Sequence, residues 1–330
     1  MRPVDYLRPD DVQQTVEAIS TLPGAKLLAG GTNLVDLMRA GIEAPKVLID
    51  VSRLPLDAIE ISDDTIRIGA TVSNTTLASH PVIRQEMPAI AQAVLTGASG
   101  QIRNMATVGG NLMQRTRCLY FYDETTACNK RQPGSGCAAI GGHNRGGAIL
   151  GGSASCVAVH PSDLAVALRM ADAQVEIVGT AGSRLIPLAN LHVLPGTSPQ
   201  IETTLNRDEL IIAVHVPRSA ILRQSRYRKV RDRASYAFAL VSVAAALAVE
   251  DGIVSEARVA LGGVAAKPWR ATILESALIA RPATDAEFAQ AARAELAAAE
   301  AGPSNEFKIH LTERTIVAVL RQLREEGGAA

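Results

Sequence analysis

Two short segments have the composition of anion-binding loops. Ala29-Gly30-Gly31-Thr32-Asn33-Leu34 follows an apolar run and leads into an amphipathic one. Thr107-Val108-Gly109-Gly110-Asn111-Leu112 repeats the combination of hydroxyl, paired glycines and amide. A dinucleotide pyrophosphate is strongly anionic and needs backbone N–H groups at close range. Glycine lets the chain approach and turn with positive φ, and a following helix adds its positive end. Gly-Gly is also common at strand ends, so either loop alone reads equally as a tight turn. The pair together points to a dinucleotide. Gly134-Ser135-Gly136-Cys137-Ala138-Ala139 formally matches GxGxx(G/A), but Lys130-Arg131-Gln132-Pro133 precedes it where a Rossmann site needs a strand. A Walker lysine and a GxSxG elbow are absent, which leaves nucleotide hydrolysis and serine esterase chemistry without support.

The second constellation is Cys118, Cys128, Cys137 and Cys156, all within one 39-residue window. Their spacing lacks the CxxC knuckles of structural zinc. Between and beside them lie Arg115, Arg117, Lys130, Arg131 and Arg145 in glycine-rich sequence. An anionic iron–sulfur cluster needs four converging thiolates and gains from nearby cations and N–H groups, and an electropositive setting favours thiolates. The alternatives are reduced cysteines filling gaps, or a disulfide pair in an oxidising compartment. Six of the ten aromatics fall in Tyr120-Phe121-Tyr122 and in 227–238, where they suit either a flavin or cluster shield or plain core filling. His160 lies close to Asp163, but Pro161 suggests a turn rather than an acid–base dyad. His80 and His143 have no ligand spacing.

These groups need elements to position them. A helix over 11–22, a strand over 25–29, a helix over 33–40 and a strand over 46–51 make a small α/β unit. Strands at 58–61 and 65–68 form a hairpin, followed by helices at 73–78 and 87–95 and an irregular stretch over 100–111. A hairpin of 174–178 with 184–186 and a strand over 209–216 complete a middle region with a mostly antiparallel or mixed sheet. Strands at 226–230, 239–249 and 253–261, then helices at 284–301 and 306–326, form a lid-like last region. The expected units are 1–55, 56–220 with an insertion at about 114–156, and 221–330.

Composition bounds the function. Thirty-three basic residues balance thirty-three acidic ones, which argues against nucleic acid or an anionic membrane as partner. Met1–Asp10 carries four charges and no export signal, and the apolar run over 236–249 is too short to span a bilayer.

The run Lys26-Leu27-Leu28-Ala29-Gly30-Gly31-Thr32-Asn33-Leu34, the segment 106–112 and His160-Pro161-Ser162-Asp163 resemble the FAD-binding subunit of the molybdenum hydroxylases. This is the xanthine dehydrogenase and aldehyde oxidoreductase family, and the likeness covers nearly the whole chain. It is strongest to the FAD subunit of bacterial aldehyde oxidoreductases of the periplasmic type. The resemblance implies an α+β chain: a two-subdomain FAD-binding fold of the vanillyl-alcohol oxidase-like type, plus a C-terminal antiparallel-sheet and helix domain. It implies that Lys26–Leu34, together with Thr107, Gly109, Gly110 and Asn111, holds the pyrophosphate. Asp163 would bond the cofactor's polar chain, Ile211 would pack on the flavin, and Lys229 would approach it from the last domain. For Lys229 a solvated face among Arg226, Arg228, Arg231 and Arg233 is the competing reading. Thr32-Asn33 stands where related flavin oxidases often carry a histidyl anchor, so FAD is expected to be non-covalent.

Periplasmic-type aldehyde oxidoreductases and 4-hydroxybenzoyl-CoA reductases carry an insertion for an extra [4Fe–4S] cluster. The segment 114–152 occupies that place, which implies Cys118, Cys128, Cys137 and Cys156 as ligands. The resemblance further implies a small [2Fe–2S] partner, a large molybdenum partner and an external electron acceptor, with no catalytic acid or base on this chain. The chain would be cytoplasmic, or periplasmic by co-export with a partner's twin-arginine signal. A free-standing flavin oxidoreductase, a 4-hydroxybenzoyl-CoA reductase-type subunit and a flavin-free iron or zinc scaffold are the rival readings.

Overall fold

The computed structural model describes residues 3–327; Met1 and Arg2, part of the segment read for an export signal, lie outside them. The N-terminal unit runs β1 (Asp5–Leu7), α1 (Val12–Thr21), β2 (Ala25–Leu28), α2 (Leu34–Arg39) and β3 (Val47–Asp50). Asp11 starts α1 by accepting from the Gln14 amide, and Val16, Ala18 and Ile19 turn inward. The three strands are parallel in the order β1-β3-β2. Strand β1 was not anticipated, because its three residues are exposed and carry no alternation.

The middle unit begins with β4 (Ile59–Ile61) and β5 (Thr65–Gly69), then passes through six short helices. These are α3 (Asn74–Ser79), α4 (Pro81–Glu86), α5 (Pro88–Thr96), α6 (Gly100–Met105), α7 (Val108–Leu112) and α8 (Leu119–Tyr122). After the insertion come α9 (Asp163–Met170), β6 (Gln174–Gly179), β7 (Gly182–Pro187) and β8 (Leu210–Pro217). The sheet order is β4-β5-β8-β6-β7 and every pairing is antiparallel.

Most of the stretch expected to be irregular over 100–111 is helical, with only Ala106 and Thr107 between the two helices. Ser99 and Thr107 each accept from a backbone amide of the following turn and so start α6 and α7. Their caps outweigh the low helical preference of Gly100, Gly109 and Gly110. The insertion itself is almost free of regular structure. It holds α8 and two isolated antiparallel bridges, Cys128 with Cys137 and Ser153 with Cys156.

The C-terminal unit comprises α10 (Ala220–Arg223), β9 (Ser225–Val230), β10 (Val241–Glu250), β11 (Ile253–Gly262), β12 (Trp269–Arg270), α11 (Thr272–Leu278), α12 (Asp285–Leu296) and α13 (Phe307–Gly327). Its antiparallel sheet has the order β12-β11-β10-β9. Val241, Val243, Ala245 and Leu247 of β10 pack with Phe288, Ile316, Val319 and Leu320. The alternate residues Ala244 and Ala246 join the other core, with Leu164 and Ala165 of α9. Burial on both faces explains the unbroken apolar run of β10. It also means that this sheet shares its core with the middle unit instead of standing apart as a lid. The insertion's exit is fastened here too: the buried Lys308 ammonium donates to the Gly147 carbonyl at 2.7 Å and to that of Gly263 at 2.5 Å. Among the described residues no helix is long and apolar enough to cross a membrane.

Candidate functional site

A cleft of about 840 Å³ opens between the β2–α2 loop, the start of α7 and strand β8. Its size suits a bound cofactor. Of the residues read from the sequence, Lys26, Leu27, Ala29, Gly30, Gly31, Thr32, Asn33, Leu34, Thr107, Gly109, Gly110 and Ile211 border it. Leu28, Asn111, Asp163 and Lys229 stand away from its wall.

The first loop is built to receive an anion. Among the described residues, the backbone N–H groups of Gly30, Gly31, Thr32 and Asn33 have no protein acceptor. Gly31 sits at φ +72°, and a Cβ on Gly30 would fall 1.7 Å from the Met105 carbonyl oxygen. Only glycine allows the loop to press this closely on α6. The Asn33 side-chain oxygen accepts from the Arg115 amide at 3.1 Å, while its Nδ2 is buried without a partner, as is Thr71 Oγ1 on the same cleft. Unpaired buried donors beside a cofactor-sized space are what a polar ligand would satisfy. Helix α2 has six residues, so the free amides, more than a long helix dipole, supply the positive field.

The second loop differs, and the expectation that it repeats the first needs correction. Val108 N–H donates to Val72, Gly109 N–H to Ala70, Asn111 N–H to the Thr107 carbonyl, and Gly110 N–H to Thr107 Oγ1. Two of these amides tie α7 to the segment 70–72 and two form its first turn, so all four are already engaged. The loop therefore forms a close wall rather than a second cradle. Asn111 braces this wall, since its Oδ1 accepts from Ser162 and from Gln114.

Asp163 and Lys229 meet each other instead of the cleft. Lys229 Nζ donates to Asp163 Oδ2 at 2.7 Å, with side chains 2% and 10% exposed. Tyr227 donates its hydroxyl to the other carboxylate oxygen at 2.5 Å, and burial pushes that hydroxyl's pKa well above its usual value. Lys229 is thus neither solvated nor on the cleft wall; it spans from β9 to the first residue of α9. With Asp163 held this way, no dyad forms with His160. His160 instead lies 4.2 Å from His192, ring centre to centre, and both point Nε2 at the Leu112 carbonyl. Burial lowers both pKa values, that of His192 to about 4, so the imidazoles are neutral cleft walls. His192 was missed because a lone histidine with no ligand spacing gives no signal.

The four cysteines, all free, border one small cavity of about 10 Å³ together with Thr116, Phe121, Lys130 and Ala158. Burial raises the Cys118 pKa and takes that of Cys156 to about 11. The expected counter-charges are mostly engaged elsewhere. Arg117 pairs with Asp36, Arg145 with Asp232, and Arg131 donates to the Tyr120 and Phe121 carbonyls. Arg115 pairs with Glu43 at 2.7 Å and Glu202 at 2.5 Å. Of the five cations, Lys130 alone lines the cysteine cavity. Among the described residues no group of three or more His, Cys, Asp or Glu forms a metal-ion site. Thr116, Lys130 and Ala158 line both the cavity and the cleft, so the two spaces share a wall.

Residues 2–219 match the family described as the FAD binding domain in molybdopterin dehydrogenase, and residues 225–323 match the CO dehydrogenase flavoprotein C-terminal domain. The chain is 49% identical to the aldehyde oxidoreductase FAD-binding subunit PaoB of Escherichia coli, over 99% of this chain and 100% of that one. It is 24% identical to the glyceraldehyde dehydrogenase medium chain of Sulfolobus acidocaldarius, over 85% and 82% of the two chains. A carbon monoxide dehydrogenase chain from Hydrogenophaga pseudoflava superposes with a TM-score of 0.74 at 26% identity, covering 97% and 98%. Quinoline 2-oxidoreductase from Pseudomonas putida, at 19% identity, TM-score 0.77 and 99% and 98% coverage, shares the fold. With family matches over residues 2–219 and 225–323 and a half-identical relative over its full length, this chain belongs to the FAD-binding subunits of the molybdenum hydroxylase family.

Proposed function

We propose that this chain is the FAD-holding electron-transfer subunit of a molybdenum-containing aldehyde oxidoreductase. The observation that carries it is the row of acceptor-free amides at Gly30–Asn33 on a cofactor-sized cleft. The name of the half-identical relative favours an aldehyde as the complex's substrate. In this reading residues 1–55 and 56–220 build the cleft, and 221–330 back it. The amides of 30–33 bind the pyrophosphate, Ile211 packs on the ring system, and Gly109 and Gly110 keep the opposite wall thin. Asp163 and Lys229 support the site by tying α9 to β9. Thr32 and Asn33 offer hydrogen bonds but no covalent anchor. Bound FAD supplies the ability to take up electrons singly and release them to an acceptor. The chain orients and shields the cofactor; His160 and His192 stay neutral and move no proton.

The four cysteines are the proposed ligands of a [4Fe–4S] cluster. The fit lies in the donor set, not in the size of the cavity. Four reduced thiols face one space, and no carboxylate is among its lining residues. Each corner of a cluster takes one thiolate, so the sulfurs surround it and need not converge on a single ion. The partners in this reading are a small [2Fe–2S] subunit and a large molybdenum subunit, with an external acceptor.

Gly110→Val tests the flavin site. A Cβ at this position meets only the Thr107 hydroxyl, at 3.0 Å, so that side chain must give slightly while no backbone atom stands in the way of the larger residue beside the cleft. The expected result is loss of FAD with iron per chain retained. Unchanged FAD content would overturn the placement.

A further inference from the structure

A chain of alternating charges runs from the flavin cleft to the cysteine cavity. Lys26 lies 3.5 Å from Glu43, Glu43 lies 2.7 Å from Arg115, Arg115 lies 2.5 Å from Glu202, and Glu202 lies 3.0 Å from Lys130. All five side chains border the cleft. Arg115 and Lys130 are each anchored at both sites. The Arg115 amide holds Asn33 of the first glycine loop, and its guanidinium lies 4.6 Å from the centre of the Phe121 ring on the cysteine cavity. Lys130 lines both spaces, is 7% exposed, and donates to the Pro199 carbonyl at 2.8 Å as well as to Glu202.

A buried ammonium at a shared wall is costly to desolvate and needs a reason. Glu202 divides its carboxylate between Arg115 and Lys130, so Lys130 is only partly neutralised. Lys130 faces both the cysteine cavity and the cleft, so its field reaches both sides. The apolar surroundings of Phe121, Ala139 and Ala158 leave that field weakly screened.

We propose that Lys130, held in place by Glu202, is a positioning residue that raises the reduction potential of the group carried by the four cysteines. This rests on the reading of those cysteines as cluster ligands. One-electron reduction adds a negative charge and breaks no bond, so a fixed cation beside the cluster favours the reduced form. Removing the cation disfavours it. Removing the carboxylate that offsets the cation has the opposite sign.

The test is a spectroscopic redox titration of the purified complex with dithionite, for the wild type and for Lys130→Met, Lys130→Arg and Glu202→Gln. Iron per wild-type chain tests the cluster assignment itself, apart from the inference. With iron present, Lys130→Met should make cluster reduction about tenfold less favourable, a fall of about 59 mV for a one-electron couple. Lys130→Arg should stay within about threefold of the wild type, and Glu202→Gln should shift the potential upward. A merely structural role would move Lys130→Met and Glu202→Gln in the same direction, and that result overturns the proposal. So does an unmoved potential in both. Should Lys130→Met lose its iron, Glu202→Gln decides alone, because it keeps the lysine: an upward shift supports the proposal and no shift sinks it.

Discussion

Lys229→Met isolates the role of the buried ion pair. Methionine preserves most of the stem volume but removes the ammonium that Asp163 accepts from at 2.7 Å. Asp163 would keep only the Tyr227 hydroxyl, in a site where its side chain is 10% exposed. Removing one partner of a buried pair costs about 3–5 kcal/mol, because the remaining charge stays desolvated. With an unfolding entropy of about 2.1 cal/mol/K per residue, a chain of this length gives about 0.7 kcal/mol/K, so Tm should fall by about 4–7 °C. Calorimetry at a series of FAD concentrations separates two roles. If Lys229 supports the fold through Asp163, the fall in Tm is the same at every concentration. If Lys229 contacts FAD itself, the gap widens as FAD is added, since stabilisation by ligand grows as RT ln(1 + [L]/Kd). A fall below about 1 °C, or one that appears only with FAD, would refute the structural reasoning.

His192 and His160 give the protein an acid limit. Their folded pKa values lie below the unfolded ones, so the unfolded chain binds more protons and stability drops as pH falls from about 6.5 to about 4. His192 alone accounts for a loss on the order of 3 kcal/mol across that window. His192→Asn should flatten the fall in urea midpoint between those pH values, and an unchanged slope would show that another group sets it. Cys128→Ser should bleach the broad visible absorbance of the cluster while FAD is retained, because Cys128 is buried opposite Cys137 and away from the cleft. Iron per chain equal to wild type would remove Cys128 from the ligand set.

Part of this site was legible residue by residue. Gly30 and Gly31 were readable because positive φ and close approach admit glycine alone, and the Met105 carbonyl leaves no room for a Cβ. The paired glycines of 109 and 110 misled for the same reason. They too mark close approach, but to Ala70 and the Thr107 cap, and sequence does not say what a glycine approaches. The caps Ser99 and Thr107 were present in the sequence, yet the glycines that follow them hid two helices.

Sequence by itself determined the local chemistry of this protein: a glycine loop with hydroxyl and amide neighbours, four clustered cysteines, and the family they resemble. Local backbone constraint and residue type act over a few positions, so a linear reading captures them. Only the tertiary structure decided partners across long separations. It paired Asp163 with Lys229, set His160 at a tilt beside His192, and linked Glu43 through Arg115 and Glu202 to Lys130. Side chains from many elements compete for each buried charge, and which one satisfies it depends on packing that no single segment contains.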